Sequence, residues 1–212
     1  TAVIQNPGSI ANATYYRGAT AAQMNATASA TWGTITYKWL RSPLSSGTNW
    51  TEVGTSAVYT PPTNTVSEYL YRCEVTNTLY GYTKLTRSNT PTITVLATPV
   101  PRLSDSGVNL QDAIYEQGET PTALSALGTV AAGTISYQWQ KSSDGDSYNN
   151  ISGAAGSSLS PSTATVGTNY YRCILTNTLN GYTTTYTTDS AVITVQLSTY
   201  VTITKNPVSA VY

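Results

Sequence analysis

Cys73 and Cys173 are the most reactive side chains in a sequence of 212 residues that contains no histidine. A catalytic cysteine needs a lowered thiol pKa and an adjacent base. Arg72 and Glu74 flank Cys73, but side chains alternate along a strand, so both are expected to point to the opposite face. Without histidine there is no Ser-His-Asp or Cys-His arrangement and no imidazole metal ligand. We therefore expect no catalytic residue, and the protein is predicted not to be an enzyme.

Two acidic residues, Asp144 and Asp146, flank Gly145 and could contribute carboxylates to a calcium site. The equivalent loop of the first half of the chain, at 45–48, contains no acid. Asp and Gly are also favoured turn residues, and this interpretation is preferred. No metal and no cofactor is expected.

Charge excludes a second class of function. The sequence has ten basic and ten acidic residues, a net charge of zero and 9% charged residues. Nucleic-acid binding needs a concentrated basic surface, which is not expected here. No apolar stretch approaches the roughly 20 residues of a membrane helix, so this segment is not expected to insert into a membrane.

An internal repeat with an offset of 100 residues organises the chain. Thr34–Trp39 recurs as Thr134–Trp139, and Tyr71–Leu79 recurs as Tyr171–Leu179 with few changes. The segment from Val3 to Pro7 resembles the one from Ile203 to Pro207. These matches predict one domain at 1–98, a second at 99–198 and, at 199–212, the first strand of a truncated third repeat.

Strand patterns fill each repeat. Hydrophobic residues alternate with polar ones from Thr34 to Trp39 and, apart from Leu70, from Tyr69 to Thr76, which is the period of a half-buried strand. Asn180-Gly181 is a strong signal for a type I′ hairpin turn, and Tyr80-Gly81 holds the same place in the first repeat. Short strands with such turns in about 100 residues predict an all-β fold of antiparallel sandwiches.

At these residues the sequence resembles a known family. A tryptophan at 39 or 139, followed by a Tyr-x-Cys motif whose cysteine comes 34 residues later, resembles the C and F strands of an immunoglobulin-like sandwich. The strings at 135–145 and 170–173 are similar to tandem bacterial Ig-like domains of surface and secreted proteins. The resemblance implies two tandem Ig-like β-sandwiches. It also implies a structural core of Trp39, Tyr71, Cys73, Trp139, Tyr171 and Cys173.

One departure from the antibody pattern concerns the disulfide. The resemblance places strand B near Met24–Ala28 and Leu124–Gly128, and neither segment contains a cysteine. Each cysteine is therefore expected to be reduced and buried beside the core tryptophan, with a small strand-B residue facing it.

The remaining aromatic residues are the candidate binding residues. The hairpin between the last two strands and the loop before the Trp39 strand would emerge at the same end of such a sandwich. Exposed Trp and Tyr rings there could stack on sugar rings or on a protein. The alternative is packing between domains or ordinary edge aromatics. The candidates are Trp32, Trp50, Tyr80, Tyr82 and Tyr182.

The resemblance implies a function of position rather than of chemistry. The repeats are predicted to be spacer or stalk domains of an extracellular bacterial protein, secreted or at the cell surface, that hold an adhesive or catalytic module. Their predicted partners are neighbouring repeats of the same chain. The alternative is a cell-adhesion module in which exposed aromatics bind a cell-wall or host glycan, or a host protein.

Overall fold

The computed structural model describes residues 10–198, and every regular element in that range is a β-strand. The part of the sequence predicted to begin a third repeat, 199–212, lies outside the described residues. In the first repeat the strands are β1 (Ala13–Tyr16), β2 (Met24–Asn25), β3 (Thr34–Pro43), β4 (Thr51–Gly54), β5 (Val58–Tyr59), β6 (Ser67–Leu79), β7 (Tyr82–Arg87) and β8 (Thr92–Leu96).

The second repeat follows the same order with one more described strand at its start. Its strands are β9 (Arg102–Asn109), β10 (Ala113–Glu116), β11 (Leu124–Thr129), β12 (Thr134–Ser142), β13 (Asn149–Asn150), β14 (Ser158–Leu159), β15 (Gly167–Leu179), β16 (Tyr182–Thr187) and β17 (Ala191–Gln196).

Two sheets build the second repeat. One has the order β10-β17-β15-β12-β13, with β16 also pairing β15, and the other has the order β14-β11-β9. The pair β10–β17 is parallel, whereas β15–β17 and β11–β9 are antiparallel. Strands that are distant in sequence thus become neighbours, as they do in the two-sheet sandwich of immunoglobulin-like domains.

The first repeat has the same topology. Its larger sheet has the order β1-β8-β6-β3-β4, with β7 on β6 and a parallel β1–β8 pair. Its second sheet, within the described residues, is the pair β2–β5, which joins Met24 to Tyr59 and Asn25 to Val58. The B strand expected near Met24–Ala28 is therefore shorter than its counterpart β11.

A separate core lies inside each sandwich. In the first repeat, Trp39 and Cys73 are cross-strand neighbours on β3 and β6, and Ala26 packs against them from the region of the opposite sheet. In the second repeat, Trp139, Cys173 and Ala126 form the same cluster. Alternation explains this, because every second side chain is buried from Tyr71 to Asn77 in β6 and from Tyr171 to Asn177 in β15.

The chain divides into two compact units. The first comprises residues up to Pro99 together with Thr178–Thr183, and the second comprises 100–177 and 184 onward. The main division falls in the proline-containing segment at 97–101. The domain boundaries at 98 and 198 remain a prediction from the sequence.

Candidate functional site

Both cysteines are free and have no exposed surface. Burial raises the pKa of the Cys73 and Cys173 thiols to about 11. A thiol with so high a pKa carries almost no thiolate at neutral pH, and thiolate is the nucleophilic form. The residues best suited to covalent chemistry are thus held in an inert state by the packing of the core.

The core tryptophans are fixed by equivalent hydrogen bonds. The indole Nε1–H of Trp39 donates to the carbonyl of Ser56 at 3.0 Å, and that of Trp139 donates to Gly156 at 3.0 Å. Both rings are fully buried, as are Tyr71 and Tyr171 to within 2%. A buried indole needs such a partner for its polar edge, so these residues serve packing in both repeats.

The acidic loop at 144–146 is a turn built by its own side chain. The Asp144 carboxylate accepts hydrogen bonds from the Ser142 hydroxyl at 2.7 Å and from the backbone N–H groups of Asp146 and Ser147 at 2.9 Å each. These donors lower the pKa of Asp144 to about 2, the Ser142 hydroxyl most of all. Within residues 10–198 no three His, Cys, Asp or Glu side chains are arranged to hold a metal ion.

Among residues 10–198, Trp32, Tyr80 and Tyr82 are the aromatic residues whose side chains are mostly exposed. Their side chains are 74%, 91% and 83% exposed. Together they line a cavity of about 280 Å³, which we call the aromatic cleft. Its described lining is Trp32, Asn77, Leu79, Tyr80, Tyr82, Thr83 and Lys84.

The β6–β7 hairpin forms one wall of the aromatic cleft. Asn77 pairs with Lys84 and Leu79 pairs with Tyr82 in its antiparallel register. Directly opposed residues share a face of the sheet, so these four side chains lie on one side of the hairpin. The two-residue turn at Tyr80-Gly81 has φ values of 49° and 83°, as a type I′ turn requires.

Trp32 lies on the other wall, and Asn77 holds the loop that carries it. Asn77 is 94% buried, and its Nδ2–H donates to the carbonyl of Trp32 at 2.9 Å, across 45 residues of sequence. Gly33, with a φ of 100°, lies against the Asn77 side chain, where a Cβ atom would overlap it. The same bond joins Asn177 to the carbonyl of Ala132 at 3.0 Å. Our sequence analysis missed this asparagine, although its Thr-Asn-Thr motif recurs after 100 residues.

The second repeat has the same hairpin turn and asparagine bond as the aromatic cleft, but it lacks three of the lining side chains. Its hairpin turn has φ values of 51° at Asn180 and 80° at Gly181. Ala132, Asn180 and Thr184 stand where the first repeat has Trp32, Tyr80 and Lys84. The candidate Tyr182 corresponds to Tyr82 and is half-buried.

The candidate Trp50 lies elsewhere. The Arg72 guanidinium stacks 4.0 Å above its ring, and Arg172 stacks 3.8 Å above the ring of Tyr148, the matching residue. Such cation–π contacts are stabilising, and their recurrence indicates a structural role. Trp50 is not among the lining residues of the aromatic cleft.

Comparisons with known proteins give one family match. A model described as a domain of unknown function (DUF8696) matches residues 106–199, which is less than half of the chain. No curated protein matches the sequence.

Solved structures provide a second set of similarities. The tandem Ig repeats of Dlar match with a TM-score of 0.35 and 13% identity, over 90% of this chain and 96% of theirs. The eight N-terminal Ig domains of Down syndrome cell adhesion molecule match with a TM-score of 0.34 and 15% identity, over 88% of this chain and 29% of that one. A SusE-like surface-located polysaccharide-binding protein from Bacteroides thetaiotaomicron matches with a TM-score of 0.33 and 11% identity, over 89% of this chain and 33% of that one.

The chain spans about a third or less of the last two structures. At such identities and scores the fold assignment depends on strand order, parallel edge pairing and the two cores. Residues 10–198 contain no helix with the length and apolarity needed to cross a bilayer. By its strand order, the chain is an all-β protein of two tandem immunoglobulin-like sandwiches.

Proposed function

We propose that the two repeats are non-catalytic spacer domains of an extracellular bacterial protein, secreted or at the cell surface, and that they position another module. The observation that carries the proposal is the duplication of the packing devices. Each repeat has the same buried tryptophan, its indole bond to a carbonyl, and an asparagine that fixes the loop before the tryptophan strand. Both cysteines belong to these cores as protonated thiols.

The linker supports the same function. Pro99 and Pro101 restrict the backbone where one repeat follows the next, and proline-containing linkers act as semi-rigid spacers. Neighbouring repeats of the same chain are then the principal partners. A spacer needs this stiffness, because a flexible connection would not hold a module at a set distance.

Small-angle X-ray scattering tests the spacer proposal. We expect the maximum dimension of the chain to exceed that of a compact particle of two domains. We also expect it to be the same at low and at high ionic strength. Replacing both linker prolines with glycine should broaden the distance distribution. A compact wild-type particle, or a glycine variant with an unchanged distribution, would contradict the proposal.

The aromatic cleft favours a second candidate function, glycan binding by the first repeat. Trp32 and Tyr82 are exposed and line the same cavity. Exposed rings of this kind present apolar faces on which the C–H surface of a sugar can pack, while their polar atoms stay in water. An adhesive module could thus be built into a spacer without changing its fold.

Retention on immobilised polysaccharides tests the second candidate. Trp32→Ala should abolish retention, and Trp50→Ala should not, because the latter ring lies outside the aromatic cleft. Unaltered retention of the Trp32 variant, or no retention of the wild-type protein on any polymer, would contradict glycan binding. The spacer function would then be the remaining candidate.

A further inference from the structure

We propose that the aromatic cleft binds a single pyranose ring that carries a carboxylate, as in a uronic or sialic acid unit of a glycan. This inference rests on the second candidate function. It adds the charge of the ligand, the residue that recognises this charge and a further aromatic residue that contacts the ligand.

The charge of the aromatic cleft points to an anion. Lys84 is exposed and belongs to the lining, and the described lining contains no carboxylate. The ion pairs found in residues 10–198 join Lys38 to Glu52, and Arg72 and Arg87 to Glu74, so Lys84 takes part in none of them. An ammonium group beside aromatic rings is complementary to a ligand with one apolar face and one negative group.

The size of the aromatic cleft favours one ring. Its volume of about 280 Å³ lies just below the roughly 300–1,000 Å³ of pockets that enclose drug-sized ligands. Its aromatic rings come from two elements, Trp32 from the loop before β3 and Tyr82 from β7. A pyranose packed against them would keep its hydroxyl edge in water and its carboxylate near Lys84.

Tyr80 supplies an independent argument from backbone strain. Its φ of 49° is unusual for a bulky residue, and Asn180 occupies the same conformation in the second repeat. Asparagine tolerates the left-handed region at a lower cost than tyrosine. Tyr80 is 91% exposed, so packing does not repay this cost. Strained residues cluster at active sites and ligand clamps, so the conformation of Tyr80 supports its contact with the ligand.

The second repeat offers an internal contrast. Ala132, Asn180 and Thr184 leave its equivalent surface without the indole, the strained phenol and the ammonium group. All three replacements are compatible with the same hairpin and the same Asn177 bond. Substituting the first-repeat residues with these counterparts should therefore remove binding without unfolding the domain.

Calorimetric titration of the full chain tests the proposal. The probes are trimers of galacturonic, glucuronic and mannuronic acid and sialyllactose, each beside its neutral counterpart. We expect at least one acidic probe to bind about fivefold or more tightly than its counterpart. That preference should fall with added salt. Trp32→Ala and Tyr80→Asn should each weaken acidic binding by about tenfold or more.

Lys84→Thr identifies the charge contact. It should equalise the acidic and neutral affinities, whereas Lys141→Thr, which removes a positive charge from the second repeat, should leave the preference intact. Equal wild-type affinities that are both lost in Trp32→Ala would overturn the acidic-sugar inference and keep glycan binding. Absence of binding to every probe, or binding that Trp32→Ala leaves unchanged, would overturn both.

Discussion

At the scale of single residues, the same side-chain types serve opposite purposes according to exposure. Trp39 and Trp139 have no exposed surface and bond to carbonyls, whereas Trp32 is 74% exposed. The chain has 17 tyrosines, four tryptophans and no phenylalanine, so every aromatic side chain carries a polar atom. Such rings tolerate both a core with a hydrogen-bond partner and a wet surface, and only their position separates structure from recognition.

Tyr80→Asn is expected to raise the free energy of unfolding of the first repeat by about 1 kcal/mol, because asparagine adopts the left-handed conformation of this turn at lower cost. Urea denaturation measures the change. Tyr82→Asn serves as the control, since Tyr82 has an extended backbone in β7 and should lose stability slightly through lower strand propensity. Equal effects of the two substitutions would show that the turn conformation is not the cause.

Alkaline pH should reveal the buried thiols. The folded pKa of about 11 lies above the ordinary value of 9.0, so the folded state binds more protons than the unfolded state between these values. The contribution to stability is complete below about pH 9 and is lost as the pH rises through about 11.

Urea denaturation across this pH window provides the measurement. The double variant Cys73→Ala/Cys173→Ala should lose less stability from pH 9 to 11 than the wild-type protein. Tyr59, Tyr71 and Tyr171, whose pKa values burial also raises, are present in both proteins and cancel in the comparison. Parallel losses in the two proteins would be evidence against protonated core thiols.

At the scale of elements, the long strands β6 and β15 organise each sandwich. Each pairs with three neighbours, and its cysteine and the asparagine four residues later each bond to a loop. The backbone N–H of Cys73 donates to the Ser88 hydroxyl at 2.8 Å, and that of Cys173 donates to Thr188 at 3.0 Å. These bonds lie where the last strand divides, so that β7 and β8 pair with different halves of β6.

Asn77→Ala and Asn177→Ala form a matched pair that tests how loops are held. Each should destabilise its own repeat by about 1–3 kcal/mol, because a partly buried carbonyl loses its hydrogen-bond donor. Asn77→Ala should also reduce glycan binding, since the Trp32 loop is released, while Asn177→Ala should not. Denaturant titration and calorimetry together measure both effects. Full binding by a destabilised Asn77→Ala variant would mean that Trp32 is positioned by other contacts.

At the scale of the whole molecule, each hydrophobic core is assembled from one repeat. The first core extends from Ile10 to Ile93 in sequence, and the second extends from Tyr115 to Ile193, or from Leu103 when the half-buried residues around it are included. A domain of this size can bury enough apolar surface to be stable by itself. This arrangement is what a spacer of variable length requires, because repeats can be added without redesigning a core.

Residues 1–98 and 99–198, produced separately, are therefore expected to fold independently. Each should give the far-ultraviolet circular dichroism of a β-protein and a cooperative urea transition. Each should also show a near-ultraviolet signal from its buried tryptophan. A fragment that stays unfolded would contradict the proposed limits. The fragment 1–98 should retain the whole of the glycan binding, since the described lining of the aromatic cleft belongs to it.

The sequence by itself predicted the central strands of each repeat and their buried faces. Alternation along a strand depends on neighbouring residues only, so the faces of β3 and β6 follow from the patterns around Trp39 and Cys73. The repeat offset of 100 residues and the Trp…Tyr-x-Cys spacing then predicted tandem sandwiches. The Asn180-Gly181 turn could be predicted for the same local reason, because two positive φ angles favour these residues.

Only the tertiary structure decided which aromatic residues meet. Trp32 and Asn77 are brought together by a bond across 45 residues, and Lys84 reaches the same cavity through the register of a hairpin. The sequence offered both Trp50 and Trp32 as candidates, yet the Arg72 guanidinium stacks on the ring of Trp50. Strand pairing joins residues that are distant in sequence, and its register is set by the whole sheet. Exposure and contact at the ends of strands therefore do not follow from a local pattern.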